Sequence, residues 1–247
     1  MRESHPCCEK HHCFYAVCYR FSIMCATARK SKPAVPAKLP RGGRHPLTQQ
    51  AVAASQRARM LAAVARVVAD KGYATSTVAD VIALAGVSRR TFYEQFAGID
   101  DCFVAAYESG MRALFAAIRD ALRQTPTDDW RERTRIAIDA YLRALAAMPD
   151  ATWAFSIEAL GANRKALEYR SRVIAQWVAQ WRALQVLREH AEPRGAKVSD
   201  AQLLALVGGI EELVRGCLQR RGAARLPQLA DEASAFALKV LGAVNAK

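Results

Sequence analysis

The sequence predicts an all-α protein, with a three-helix helix-turn-helix unit near the N-terminus followed by a larger helical domain. Alanine, leucine, arginine and valine dominate, and glycine and proline thin out after about residue 50. Apolar residues recur at i, i+3, i+4 and i+7, and no segment shows the two-residue alternation of a half-buried strand. With 247 residues, 52% of them hydrophobic, the chain is long enough to bury a substantial core.

The first 49 residues differ from the rest. They carry nine Lys or Arg against Glu3 and Glu9, within a net charge of +13 for the chain, so they should attract polyanions. Residues 28 to 46 are rich in Pro, Gly and cations without an apolar period, which predicts an extended linker. Residues 1 to 49 are therefore read as a disordered tail. Its apolar stretch at residues 13 to 28 is interrupted by Arg20 and is too short to span a bilayer. Cys7, Cys8, His11, His12 and Cys13 could bind zinc in principle, but the spacing is not that of two paired Cys motifs, so no metal site and no cofactor are expected. Cys102 and Cys217 fall in helices far apart, and no disulfide framework is implied.

Regular structure is expected from about Ser55, where Leu61, Val64, Ala65 and Val68 form an apolar stripe that stops at Lys71-Gly72. Thr77-Val78-Ala79-Asp80 has the form of a capping box and opens a second helix that Gly86 ends. Ser88 caps a third, short helix, in which Phe92 and Phe96 turn inward and Arg89, Arg90 and Tyr93 remain outside. Two short helices across a glycine-containing turn form a helix-turn-helix pattern. Longer helices are predicted at about residues 100–122, 128–147, 151–160, 163–190, 200–221 and 231–245. The breaks between them are marked by Pro126, Pro149, Gly161, Pro193 and the stretch from Gly222 to Pro227, and Ser199-Asp200-Ala201-Gln202 is another capping box.

The segment from Gln56 to Phe103 resembles the DNA-binding domain of the tetracycline-repressor (TetR) family. The resemblance is carried by Lys71-Gly72-Tyr73, by Thr77-Val78-Ala79-Asp80-Val81-Ile82-Ala83, and by Ala85-Gly86-Val87-Ser88-Arg89-Arg90-Thr91-Phe92-Tyr93-Glu94-Gln95-Phe96, at the family's spacing. It implies a DNA-binding domain over residues 50–99 and an effector-binding and dimerisation domain over 100–247. It also implies that Thr77, Ser88 and Tyr93 touch phosphates, that Thr91 sits at the groove, and that Arg89 and Arg90 are candidates for base edges. Elementary chemistry agrees, since Arg can contact guanine bidentately. The chain departs from the family at Arg90, where glycine is frequent, and at Ile99, where a lysine is expected; the latter puts one phosphate contact in doubt.

In the second domain, Phe115, Trp130, Tyr141, Trp153, Phe155, Tyr169 and Trp177 are candidate lining residues of a ligand pocket, because large aromatics cluster on its middle helices. Glu158, in an otherwise apolar stretch, is a candidate partner for a cationic ligand or for an internal arginine. Wide apolar arcs on the last two helices point to a dimer face, with Leu206, Ile210, Leu213, Phe236 and Val240 as its candidates. Gly208-Gly209 suits close approach of another backbone.

These features predict a cytoplasmic, homodimeric transcription regulator, most simply a ligand-relieved repressor on a palindromic operator in double-stranded DNA, with a small-molecule effector and no membrane association. The alternatives are a ligand-independent architectural DNA-binding protein and a helical enzyme. The enzyme is disfavoured because four of the five histidines lie in the tail and no catalytic triad, phosphate loop or helical His-Glu-x-x-His pattern is present.

Overall fold

The computed structural model describes residues 35–36, 49–195 and 197–242. The tail expectations, including the Cys and His cluster, and the predicted end of the last helix at Asn245 lie outside the described residues. Among the described residues there are nine α-helices, two 3₁₀ segments and no strand: α1 (Gln49–Lys71), α2 (Val78–Ala85), α3 (Arg89–Tyr93), α4 (Ile99–Gln124), α5 (Trp130–Ala147), α6 (Pro149–Ser156), a 3₁₀ turn (Glu158–Leu160), α7 (Arg164–Ala191), α8 (Asp200–Arg221), a 3₁₀ segment (Ala223–Leu229) and α9 (Ala230–Val240). None of these helices is long and apolar enough to cross a membrane.

The first helix begins at Gln49, six residues before the expected start, because its extra turns are mostly exposed and carry no apolar stripe to mark them. Predicted helix 151–160 is two pieces: α6 starts on Pro149, whose fixed φ suits the first helical turn, and ends at Ser156 before the 3₁₀ turn. The stretch from Gly222 to Pro227, expected only as a break, is wound into 3₁₀ geometry.

Packing of the helices follows their stripes. Met60, Val64 and Val68 of α1 meet Val81, Ala85, Phe92 and Phe96, and the same apolar cluster continues through Phe103, Ala106 and Leu114 of α4 to Leu142 of α5 and Leu206 and Val214 of α8. The helix-turn-helix and the helices after it thus share one core. A smaller cluster unites Trp130, Val198, Leu203 and Leu241.

α8 runs through the middle of the second region, against α7, α9 and the second 3₁₀ segment. This corrects two of the expected dimer residues. Leu206 and Ile210 are buried inside the single chain, so their arc is consumed by neighbours within it. Leu213 and Val240 are half-buried against the same core. Phe236 is partly exposed and lies over Gly209, where a Cβ would come within 2.7 Å of the ring; the close approach expected at Gly208-Gly209 is met here by a side chain of α9. Gly208 itself faces open space, in line with exposed Leu204 and Ala205.

Candidate DNA interface and candidate effector cavity

Local hydrogen bonds hold the helix-turn-helix. Thr77 Oγ1 accepts from the Asp80 N–H at 3.2 Å, and Asp80 Oδ2 accepts from the Thr77 N–H at 2.9 Å, completing the capping box. Lys71 adds an ammonium 2.8 Å from the same carboxylate. The Lys71 and Thr77 hydrogen bonds together hold the Asp80 carboxyl down at about 2. Gly86 closes α2 at φ 61°, a left-handed conformation that glycine adopts without penalty. Beside it, Arg59 of α1 is buried and donates from Nη1 to the carbonyl of Ala85 at 2.6 Å. Arg59 thereby ties α1 to the turn. Arg57, two residues earlier on α1, lies over the Phe96 ring at 4.6 Å.

Ser88 caps α3, accepting from the Thr91 N–H at 3.0 Å, with the Ser88 and Thr91 hydroxyls 2.9 Å apart. Phe92 and Phe96 are buried as expected. Arg89 is exposed, Tyr93 is 50% exposed, and the Arg90 side chain is 89% exposed while pairing with Glu94 at 2.9 Å. Thr77, Ser88, Arg89, Arg90 and Tyr93 are all exposed, and Thr91 is half-buried. An exposed pair such as Arg90–Glu94 contributes about 0–1 kcal/mol, so it yields readily to a stronger anion. Ile99 opens α4 and packs against the core, leaving no cation at that point.

The second region contains a cavity of about 890 Å³, open to solvent on one side, between α4, α5, α7 and α8. Phe115, Ile118, Ile138, Trp181 and Leu184 supply apolar wall, and Arg112, Arg119 and Arg133 supply cations against the carboxylates of Glu108 and Glu211. Its volume lies within the roughly 300–1,000 Å³ common to small-ligand sites. A chamber of about 60 Å³ adjoins it, sharing Met111, Tyr141, Trp177 and Glu211 and adding Tyr107, Phe155, Arg170 and Arg215. Of the expected lining residues, Phe115, Tyr141, Tyr169, Trp177 and Phe155 line one or both spaces.

Trp130, Trp153 and Glu158 line neither, which corrects their expected roles. Trp130 is buried in the smaller apolar cluster, with its indole N–H donating to Glu192 at 3.3 Å. Trp153 donates to Glu158 Oε1 at 3.4 Å. Glu158 Oε2 accepts from the backbone N–H of Tyr73, in the turn after α1, at 3.1 Å. The partner of Glu158 is thus the helix-turn-helix itself. Nothing local to residue 158 announces this, because the contact bridges 85 positions of chain.

Around that hydrogen bond the two regions are stitched closely. Tyr73 donates its hydroxyl proton to Asp100 and accepts from Asn163, and Arg66 lies 3.5 Å from Asp150 of α6. An aromatic series leads from the small chamber to the same turn: Tyr107 stacks on Phe155 at 4.8 Å, Phe155 meets Phe103 at 5.6 Å, and Phe103 meets Tyr73 at 5.0 Å. Phe155 also presses on Gly110, where a Cβ would come within 3.1 Å of its ring.

Capped short helices with exposed cations, joined through one core to a helical region around a large cavity, define a helix-turn-helix protein with a cavity in its second region. Residues 60–106 match the family model described as bacterial regulatory proteins, tetR family. Over 86 residues it is 31% identical to the HTH-type transcriptional activator FasR of Mycolicibacterium smegmatis, a match spanning 35% of this chain and 38% of that protein. Among solved structures it is similar to the fatty acid degradation regulator FadR from Bacillus halodurans, with a TM-score of 0.65 at 17% identity over 78% of this chain and 97% of that one. It is similar also to FadR from Bacillus subtilis in complex with stearoyl-CoA, with a TM-score of 0.62 at 16% identity over 74% and 96%. These two likenesses establish the fold.

Proposed function

We propose that the chain is a ligand-responsive transcription regulator that binds a palindromic operator as a homodimer and is released from it by effector. The observation that carries this reading is the single core joining an exposed, capped helix-turn-helix to the walls of the 890 Å³ cavity, which allows one site to bias the other. On DNA, Arg89 and Arg90 read base edges, Thr91 sits at the groove, and Thr77, Ser88 and Tyr93 contact phosphates. The second copy docks on the exposed stripe of Leu204, Ala205 and Gly208 beside Phe236, placing the two α3 helices about 34 Å apart in successive major grooves.

The effector is an amphipathic anion with a long apolar chain. Apolar walls with three arginines suit such a molecule, and the stearoyl-CoA of the Bacillus subtilis neighbour combines the same two properties. Filling the cavity presses on Tyr107 and Phe155, and through α6 and Glu158 shifts the turn at Tyr73 that carries the helix-turn-helix.

The test is selection of an operator from a random duplex library, followed by binding and in vitro transcription with and without palmitoyl-CoA. The expected result is a palindromic site, repressed transcription, and relief on addition of the thioester. Transcription that rises when the protein binds would overturn repression, as the relative's name of activator would suggest. Failure to select any sequence would overturn the operator reading.

A further inference from the structure

The small chamber is chemically unlike the cavity it adjoins. Arg170 and Arg215 both bond to Glu211, and Arg215 also reaches Glu212 at 2.8 Å. Glu212 is 72% exposed, so water largely answers its charge, leaving two guanidinium groups and one carboxylate at the chamber wall. Tyr107 and Tyr141 line the same space, and neither phenolic hydroxyl has a hydrogen-bond partner among the described residues. Burial, with Glu211 near, raises both phenols well above their ordinary range, so each keeps its proton at neutral pH and has it to donate. Two phenols and a net cation around a space of about 60 Å³ are an environment for an oxygen acceptor; a methyl terminus would leave them unanswered.

At the other end, Arg119 lies eight residues beyond Met111 on α4, and Arg133 eight residues before Tyr141 on α5. At about 1.5 Å per residue, both arginines stand roughly 12 Å along their helices from the junction of the two spaces. Between the two polar ends the wall includes Phe115, Ile118, Ile138 and Trp177.

We propose that the effector is polar at both ends: an anionic group at Arg119 and Arg133, an apolar chain, and an oxygen-bearing far terminus seated in the chamber of Tyr107, Tyr141, Arg170 and Arg215. Such a molecule is an ω-oxygenated long-chain acid or its thioester. The inference rests on the cavity being the effector site, and it adds the chemistry of the end that enters first.

Calorimetric titration of the full chain with hexadecanoate, ω-hydroxyhexadecanoate and hexadecanedioate tests it. The two oxygenated chains are expected to bind about tenfold more tightly than hexadecanoate, the effect of one or two recovered hydrogen bonds. In the Tyr107→Phe/Tyr141→Phe double variant, which keeps both rings, the ratio of affinities between the oxygenated chains and hexadecanoate should shrink to about threefold or less, in part because hexadecanoate no longer leaves two hydroxyls unanswered. Equal or tighter binding of hexadecanoate to the unaltered chain would overturn the inner subsite while leaving the cavity as effector site. An advantage that survives in the double variant would do the same. Binding of none of the three probes, nor of palmitoyl-CoA, would overturn the effector site as well.

Discussion

The proposed DNA-facing and ligand-facing parts of this molecule solve opposite problems with similar side chains. Around α3, function requires arginine and tyrosine to stand in water, and short-range bonds do the positioning: Thr77 with Asp80, and Ser88 with Thr91. Around the cavity, the proposed function requires apolar and cationic groups to face one another across one space, and four helices from distant parts of the chain supply them. Glu158 belongs to the second region but bonds to the first. The difference teaches that the reading head is organised by local sequence, whereas the sensing chamber and its connection to the head are organised only by tertiary packing.

Disrupting the proposed dimer is the largest way to break this comparison. Leu204→Glu adds a charge to an exposed site, 51% accessible, so the fold of the single chain should persist. Sedimentation should then show monomers, and operator affinity should fall about 100-fold or more as the second half-site is lost. A dimer with unchanged operator affinity would remove α8 from the interface.

Within the head, Arg90→Ala should cost about 1–3 kcal/mol on the operator and relax preference at one position per half-site. Tyr93→Phe, losing one phosphate hydrogen bond, should weaken cognate and scrambled duplexes alike by about 0.5–1.5 kcal/mol. Parallel binding isotherms on both duplexes separate these outcomes. Identical profiles for the two variants would mean that α3 positions the protein without reading bases.

The bridge sharpens the comparison most. Glu158 accepts from two donors, the Tyr73 N–H and the Trp153 indole, and Gln offers only one acceptor oxygen in its place. Glu158→Ala should therefore reduce the coupling between effector and operator by about 0.5–2 kcal/mol, with Glu158→Gln between it and the unaltered chain. Effector affinity in the absence of DNA should change little. Full coupling in the Ala variant, measured as the shift of operator affinity on adding palmitoyl-CoA, would exclude this contact from the route.

The smallest expected effect is at the α2 cap. Because the Asp80 carboxyl is depressed to about 2, its stabilisation is present above the ordinary carboxylate range and is lost as pH falls through about 4 to 2. The thermal midpoint of the unaltered chain should exceed that of Asp80→Asn by a margin that narrows over that interval. A margin constant with pH would mean that Lys71 and Thr77 do not hold the charged form.

What could be read in advance follows the same division. The capping boxes at Thr77 and Ser199, the helix end at Gly86 and the inward turn of Phe92 and Phe96 depend on neighbours within four or so positions, and each was legible. The aromatic cluster announced a lined space, yet composition does not say which face a ring turns: Tyr141 and Trp177 line the cavity, while Trp130 fills a separate core. Leu206 and Ile210 looked available for a partner because an apolar arc looks the same whether it is covered by the same chain or by another. Glu158 was misjudged because its partner lies 85 positions away. The chamber of Arg170, Glu211 and Arg215 went unread for the same reason, since α7 and α8 meet only in the fold.

The most direct measurement is the reciprocal one: operator affinity with and without saturating palmitoyl-CoA, and palmitoyl-CoA affinity with and without saturating operator. If the cavity governs the helix-turn-helix, both constants must worsen by the same factor, expected at about 5- to 150-fold, because the two shifts are one coupling free energy seen from either side. Palmitoyl-CoA that binds free and operator-bound protein equally would contradict ligand-responsive DNA binding, whatever the contacts within the chain.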